Sequence, residues 1–337
     1  MRYLKDCSNG RNNNLNIIRF VAAILVIFSH SFPLTGVDEP IEKILMGQIG
    51  GGGLAVSVFF FLGGFLICKS MHRLDNGKDY FKARSIRIFP PLCLVTVVIT
   101  LVLGPIMTEY SVLEYFSSVQ TYKYLLNCVF VLVHDLPGVF SNNIYNSTVN
   151  GVLWTLPVEF MCYIGCFVAY KIGVLDRSKL KVLCLPVFVI YSILCIVINN
   201  EFITGGILRP CIMFFAGMVC YVFRDIILMD KRILFVDIIL LIISMVCGFF
   251  NVGIYVLWGY CLLYLAFGTG IKLDKFSSKH EISYGIYLTG WPIQQVICSV
   301  TDNGVKWYAN FIIAAVAAII IGYIISLFEN MYLKKVK

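Results

Sequence analysis

Charge is scarce in this chain. Asp, Glu, Lys and Arg make up 14% of its 337 residues, hydrophobic residues make up 59%, and the mean hydropathy is +0.84. A soluble domain carries roughly 25% charged residues, so the composition excludes an ordinary soluble fold and a disordered chain alike. Acidic residues are fewer than basic ones, 19 against 27. Metal-ligand patterns are missing as well. No CxxC occurs and no Cys–His pair has the spacing of a zinc site, so no metal is expected. Most of the 13 cysteines, among them Cys68, Cys162, Cys166, Cys195 and Cys220, fall inside apolar runs, where they are small apolar side chains. No internal repeat is evident, which argues against a transporter built from inverted halves. The first apolar run is too long for a signal-peptide core and no small-residue cleavage site follows it. A signal anchor is therefore expected rather than a cleaved leader.

What is there is a succession of apolar runs of about 17 to 23 residues, each long enough to cross a bilayer. They predict an all-α polytopic membrane protein with about ten transmembrane helices, near 16–34, 53–69, 88–107, 151–172, 181–199, 205–223, 233–249, 251–268, 281–299 and 306–328. One membrane domain is expected over 1–337, with no fused soluble domain. The stretch 122–140 is broken by His134, Asp135 and Pro137 and reads as a re-entrant or interfacial piece.

Lys and Arg set the orientation. With both termini cytoplasmic, the inside segments hold Arg2, Lys5, Arg11, Lys69, Arg73, Lys78, Lys82, Arg84, Arg87, Lys171, Arg177, Lys179, Lys181, Arg224, Lys231, Arg232, Lys272, Lys275, Lys279, Lys334, Lys335 and Lys337. The outside segments hold only Lys43, Lys123 and Lys306. The net charge of +8 is thereby explained by topology, and no nucleic-acid partner is implied.

Ionisable groups within spans mark function by default. The first run, NIIRFVAAILVIFSHSFP, carries Arg19 and His30. Eleven residues are about three helical turns, so both lie on one face, roughly 16 Å apart along the axis. Glu159 in the fourth run lies about 12 Å below the outer surface, and His30 about 9 Å below it. A carboxylate and an imidazole at one depth suit either a structural ion pair or acid–base chemistry. Arg84 and Arg87, three apart ahead of the third run, share a helical face that suits either anionic lipid or a phosphate ligand. Pro90 and Pro91 follow them, and there the chain is expected to enter the membrane. Arg209 opens the sixth run and either snorkels or faces a polar cavity as a substrate contact. Gly63-Gly64 indicates close helix packing or an interrupted helix. The ninth run, ISYGIYLTGWPIQQ, is unusually polar, and interhelical hydrogen bonding explains part of that. The outside loop 108–150 is long enough to be functional, with aromatic and amide residues that suit a sugar or a membrane interface.

Together these motifs resemble the bacterial membrane acyltransferase type 3 family, the integral-membrane O-acyltransferases of surface glycans. Arg19 with His30 matches its first-helix motif. AVSVFFFLGGFLI resembles its second helix, with Ser57 at a polar position. FKARSIRIFPPL matches the basic motif, and LWTLPVEFMCY resembles Trp-Ser-x-x-x-Glu, with Trp154, Thr155 for serine, and Glu159. SYGIYLTGWPI resembles the late Ser-Tyr-x-x-Tyr-Leu motif, with Tyr284 and Tyr287. Gly290 stands where many members have histidine. The resemblance implies transfer of an acyl group, most often acetyl, from cytoplasmic acyl-CoA (acetyl-CoA as donor) to a hydroxyl of a surface polysaccharide or glycolipid, in the plasma membrane of a bacterium. It makes His30, Glu159 and Arg19 the expected catalytic groups and Arg84 and Arg87 the expected donor-phosphate ligands. Ser57, Trp154, Tyr284 and Tyr287 join Arg209 as expected substrate contacts. The competing expectation is a transporter or flippase of a glycolipid or acyl donor.

Overall fold

The computed structural model describes residues 2–10, 13–74, 76–197, 202–270, 273, 276 and 280–336, and describes no side chain at 192, 195–197, 202–204 or 332–336. Of the expected inside charges, Arg11, Lys272, Lys275, Lys279 and Lys337 lie outside the described residues, as do residues 198 and 199 of the fifth run. The side chains of Cys195, Lys334 and Lys335 do too.

The described residues are helical, with only isolated β-bridges. Among the described residues, the longer helices are α1 (Leu15–Leu34), α2 (Gly51–Leu74), α3 (Gly77–Met107), α4 (Thr155–Lys171), α5 (Arg177–Val197), α6 (Gly205–Val222), α7 (Lys231–Val246), α8 (Phe250–Gly268), α9 (Ser283–Val300) and α10 (Trp307–Met331). Six of these, α1, α2, α3, α6, α8 and α10, are long and apolar enough to cross a membrane. By contrast α4 and α7 have only 17 and 16 residues, and α9 is rich in polar side chains. Helix is the form such sequences must take in lipid, where every backbone polar group has to be bonded within its own segment. The outward faces agree. Along α10 the exposed side chains include Ile312, Ile313, Val316, Ile320 and Phe328, a surface suited to acyl chains and not to water.

The helix starts are chemically distinct. At α1, α3, α5 and α7 an Asx side chain accepts from a first-turn backbone N–H: Asn13 from Leu15, Asn76 from Lys78, Asp176 from Ser178 and Asp230 from Arg232. Asn76 opens α3 at Gly77, so the helical face of Arg84 and Arg87 and the apolar run after it are a single helix, with Pro90 and Pro91 inside it. At the fourth run the helix begins only at Thr155. Residues 151–154 form a turn, so Trp154 precedes α4.

The chain divides into two compact units, and α1, α3 and α4 contribute residues to both. Unit 1 comprises Met1–Ala22, Ile41–Tyr80 and Val158–Ser278. Its core pairs α2 with α6 in parallel. A Cβ added at Gly64 would stand 1.9 Å from the Phe214 carbonyl oxygen, and one at Gly217 2.0 Å from that of Phe61. The two backbones touch through glycine, which resolves Gly63-Gly64 as close packing within an unbroken helix. Gly217→Leu is therefore expected to force the helices apart and cost more than the 1–3 kcal/mol or so typical of core overpacking. The check is membrane accumulation and detergent melting temperature beside the wild type.

Unit 2 comprises Ala23–Pro40, Phe81–Pro157 and Lys279–Lys337. Here α9 and α10 run antiparallel, Gly285 against Gly322. Phe28 and Phe32 of α1 pack on Trp307, and Phe28 also on Phe311, fixing the second half of α1 to α10. The stretch 122–140 contributes the end of one short helix and a tight helical turn at Tyr124–Val129, and forms no long helix. Tyr115, Tyr124, Leu136, Val139, Phe140 and Val149 are buried in a common core with residues of α3 and α9.

Candidate functional site

The polar face of α9 organises unit 2. Tyr284, Tyr287, Trp291 and Gln295 recur at helical spacing, and each donates to a backbone carbonyl outside α9. The Tyr284 hydroxyl donates to Ile88 O at 3.1 Å. The Tyr287 hydroxyl donates to Val152 O at 3.1 Å and shares a 2.7 Å bond with Thr155 Oγ1. Trp291 Nε1 donates to Thr148 O at 3.0 Å. Gln295 Nε2 donates to Tyr145 O at 2.7 Å and to Thr148 O at 2.9 Å. In return Asn143 Nδ2 donates to Gln295 Oε1 at 2.7 Å, and Asn150 Nδ2 to Leu288 O at 2.9 Å. These bonds sew residues 143–155 onto α9. Tyr284 and Tyr287, two of the expected substrate contacts, thus also hold backbone.

His30 sits beside this seam. Its ring meets the Trp291 indole edge-on, with centroids 4.8 Å apart, and Tyr145 meets the same indole at 5.2 Å. Gly151 allows the indole its place, because a Cβ there would come within 2.7 Å of it. His30 Nδ1 is buried and has no hydrogen-bond partner among the described residues. A buried imidazole nitrogen with no partner forgoes a hydrogen bond, and such groups are rare in folded proteins. One turn earlier, Gln294 Nε2 donates to Ile27 O at 2.9 Å and to Asn310 Oδ1 at 2.9 Å, tying α1, α9 and α10 together. Gly290 has a packing reason: a Cβ there would lie 2.6 Å from Ile27 Cγ1. The close approach of α1 to α9 leaves no room for a side chain at that position.

At the beginning of α9, Arg87 Nη2 lies 2.8 Å from each carboxylate oxygen of Glu281. Ser283 Oγ adds a 3.2 Å bond to Glu281, and Glu329 lies within electrostatic reach of both charges. The expected phosphate ligand Arg87 is thus already paired with an acid. Arg84 lies three residues earlier on the same helix, half-buried. Trp154 is half-buried in the turn before α4. An apolar cavity of about 340 Å³ lies among α3, α9 and α10, lined by Val95, Ile99, Pro292, Val296 and Ile325 among others. It contains no ionisable group, so acid–base chemistry does not reside there.

The remaining expected residues belong to unit 1. Arg19 is half-buried on α1. Glu159 accepts a short hydrogen bond from the Tyr163 hydroxyl one turn along α4. Ser57 is fully buried, and its hydroxyl donates at 2.8 Å to Gly53 O of its own helix, as helical serines in lipid do. Arg209 donates from Nε to the Tyr255 hydroxyl at 3.2 Å, and from Nη2 to Asn251 Oδ1 at 3.1 Å and Gln48 O at 3.4 Å. Among the described residues no cluster of His, Cys, Asp and Glu could hold a metal.

Sequence reasoning passed over Trp291, Gln295, Asn143 and Glu281 as named site residues. The signal for the first two was the excess of polar side chains in the ninth run. For Glu281 it was an acid two residues ahead of that run.

Residues 12–327 match the sequence model of a family described as an acyltransferase domain. The chain is 28% identical over 324 residues to an O-acetyl transferase of Shigella phage Sf6, covering 93% of each chain. It is 29% identical over 160 residues to nodulation protein 10 of Rhizobium leguminosarum bv. viciae, covering 47% of this chain and 44% of that one. A weaker likeness, 25% over 217 residues, links 59% of this chain to 78% of the bidirectional sugar transporter SWEET4 of Oryza sativa subsp. indica. No solved structure matches.

Proposed function

This chain belongs to the acyltransferase family whose domain it matches over residues 12–327, and from that premise we propose that it is an acetyl-CoA-dependent O-acetyltransferase of a cell-surface polysaccharide or glycolipid precursor. The observation that carries the reading is His30: an imidazole on an apolar helix, braced against Trp291, with a buried nitrogen bonded to nothing among the described residues. A group held so has a proton-accepting atom available for a substrate.

In this reading the protein resides in the plasma membrane of a bacterium, with ten spans and both termini cytoplasmic. Arg84 and Arg87, one turn apart, take the phosphates of the donor. Guanidinium forks suit that chemistry, and the donor competes with Glu281 for Arg87. His30 removes the proton from the acceptor hydroxyl as its oxygen attacks the thioester carbonyl carbon. The carbon–sulfur bond then breaks, and the thiolate of coenzyme A takes the proton back from the imidazolium. The products are an O-acyl ester and free coenzyme A. Glu159 is assigned the companion acid–base role, and Arg19 stabilises negative charge developing on the thioester oxygen. Ser57, Trp154, Arg209, Tyr284 and Tyr287 are the candidates for acceptor contact.

The likeness to a sugar transporter supports a second reading, transport of a glycolipid or sugar. One experiment separates the two. Membranes containing the protein are supplied with acetyl-CoA labelled in the acetyl group, and label is followed into the glycan and glycolipid fractions. Label that depends on the protein is expected. Absence of label, together with protein-dependent sugar uptake into proteoliposomes, would replace the enzyme with the transporter.

A further inference from the structure

Within unit 2, residues 143–148 include the part of the seam that stands open. The Tyr145 ring makes a T-shaped contact with the Trp291 indole, centroids 5.2 Å apart and planes at 86°, and the same indole meets His30 at 4.8 Å. One aromatic side chain therefore separates the His30 imidazole from a tyrosine that is 44% exposed. A T-shaped contact leaves at least one face of the phenol ring uncovered by the indole. Asn146 and Ser147 follow, both exposed. The Tyr145 hydroxyl, the Asn146 amide and the Ser147 hydroxyl make no hydrogen bond with the described residues.

The backbone beneath them is pinned from several sides. Ile144 N–H donates to Asn303 Oδ1 at 3.1 Å, and Tyr145 O accepts from Gln295 Nε2 at 2.7 Å. Ser147 N–H donates to Phe140 O at 3.2 Å, and Thr148 O accepts from Trp291 Nε1 at 3.0 Å. Ser147 itself is held in the left-handed region at φ 59°, which serine adopts rarely. The side chains thus project from a preset frame that a ligand need not order. The segment lies along the second half of α9, away from the Arg87–Glu281 pair at its beginning. Asn142 and Asp302 are exposed at the same end. So polar a surface suits water and not hydrocarbon, where these groups would lack partners.

We propose that Tyr145, Asn146 and Ser147 form a carbohydrate-binding ridge that presents an uncharged sugar of the acceptor toward His30. A pyranose has an apolar C–H face, which suits the open tyrosine ring, and a rim of hydroxyls that both donate and accept. The amide and the two hydroxyls of the ridge do the same. A rigid tyrosine beside adaptable Asn and Ser is a combination that gains contact at low entropic cost. That the bound sugar is the acceptor rests on the acetyltransferase reading; that a sugar binds here does not.

The test uses full-length protein in an uncharged detergent without a sugar headgroup. Affinity is measured by calorimetry for neutral oligosaccharides of hexose and of N-acetylhexosamine, with glycerol as the control polyol. Wild type is expected to bind an oligosaccharide and not glycerol. Tyr145→Ala should weaken that binding at least tenfold, and Tyr145→Trp, which keeps a ring face, should retain most of it. Asn146→Ala removes a side chain bonded to none of the described residues, so the several-fold loss expected from it is not one of folding. Transfer of labelled acetyl to the glycan fraction is followed in parallel, where Tyr145→Ala should raise the acceptor concentration at half-maximal rate and leave KM for acetyl-CoA in place. Oligosaccharide binding without transfer by wild type would keep the ridge and remove the acetyltransferase reading. Wild type that binds no oligosaccharide, or binding that Tyr145→Ala and Asn146→Ala leave undiminished, overturns the ridge.

Discussion

Replacing His30 by Gln is expected to lower acyl transfer by about 10²- to 10⁴-fold, the usual contribution of a positioned general base, while the protein stays folded. The structure explains why the two effects separate. The His30 ring makes no hydrogen bond with the described residues, so the substitution strands none of them. What it loses is the edge-on contact with Trp291, worth roughly 0.5–1.5 kcal/mol. The indole keeps its bond to Thr148, and the seam of Tyr287, Gln295 and Asn143 does not involve the imidazole. Transfer of labelled acetyl in membranes would be measured beside the amount and melting temperature of the protein. A near wild-type rate from folded variant would remove His30 from the chemistry. A rate that fell only in proportion to folded protein would reduce it to a packing residue.

His30 was legible in the sequence for the reason that makes it interesting. An ionisable group in an apolar run is conspicuous, because lipid penalises it. The order of the long helices was legible for a related reason, since apolar runs in a bilayer have no alternative to helix. The start of α3 at Gly77 was not, because residues 77–87 are helical behind the Asn76 cap without being apolar. The seam behind His30 was hidden differently. Trp291 and Gln295 donate to carbonyls of residues 145 and 148, roughly 150 positions earlier, and no period in either segment announces that meeting. Backbone acceptors have no identity in a sequence. The same limit concealed the surroundings of Arg209, where Gln48 lies ahead of α2 and Asn251 in the first turn of α8, far apart in sequence. Gly290 shows the converse. Its departure from the family pattern was visible, but its cause, contact with Ile27, was a matter of packing.

The second large effect concerns Arg87 and Glu281, and it has two opposite signs. Arg87→Gln is expected to raise KM for acetyl-CoA by about tenfold or more, since a charge-assisted bond to phosphate is worth roughly 1.5–3 kcal/mol. Glu281→Gln should move KM downward, by several-fold, because it removes the carboxylate that competes with the donor for the same Nη2. Stability enters weakly. The two side chains are 33% and 30% exposed, a setting in which an ion pair contributes about 0–1 kcal/mol. Neither variant should therefore unfold the protein, although Arg87→Gln leaves Glu281 and Glu329 facing each other without a cation between them, and Arg87→Lys is the control that keeps the charge. Lysine restores attraction as a point charge but not the fork, so it should recover part of the affinity. Steady-state kinetics over a range of acetyl-CoA concentrations would read these shifts. A pair that served structure alone would lower stability from either side and leave KM where it was. Opposite movements of KM require that the guanidinium be shared between an internal acid and an incoming phosphate, with Glu281 setting how tightly the donor must bind to displace it.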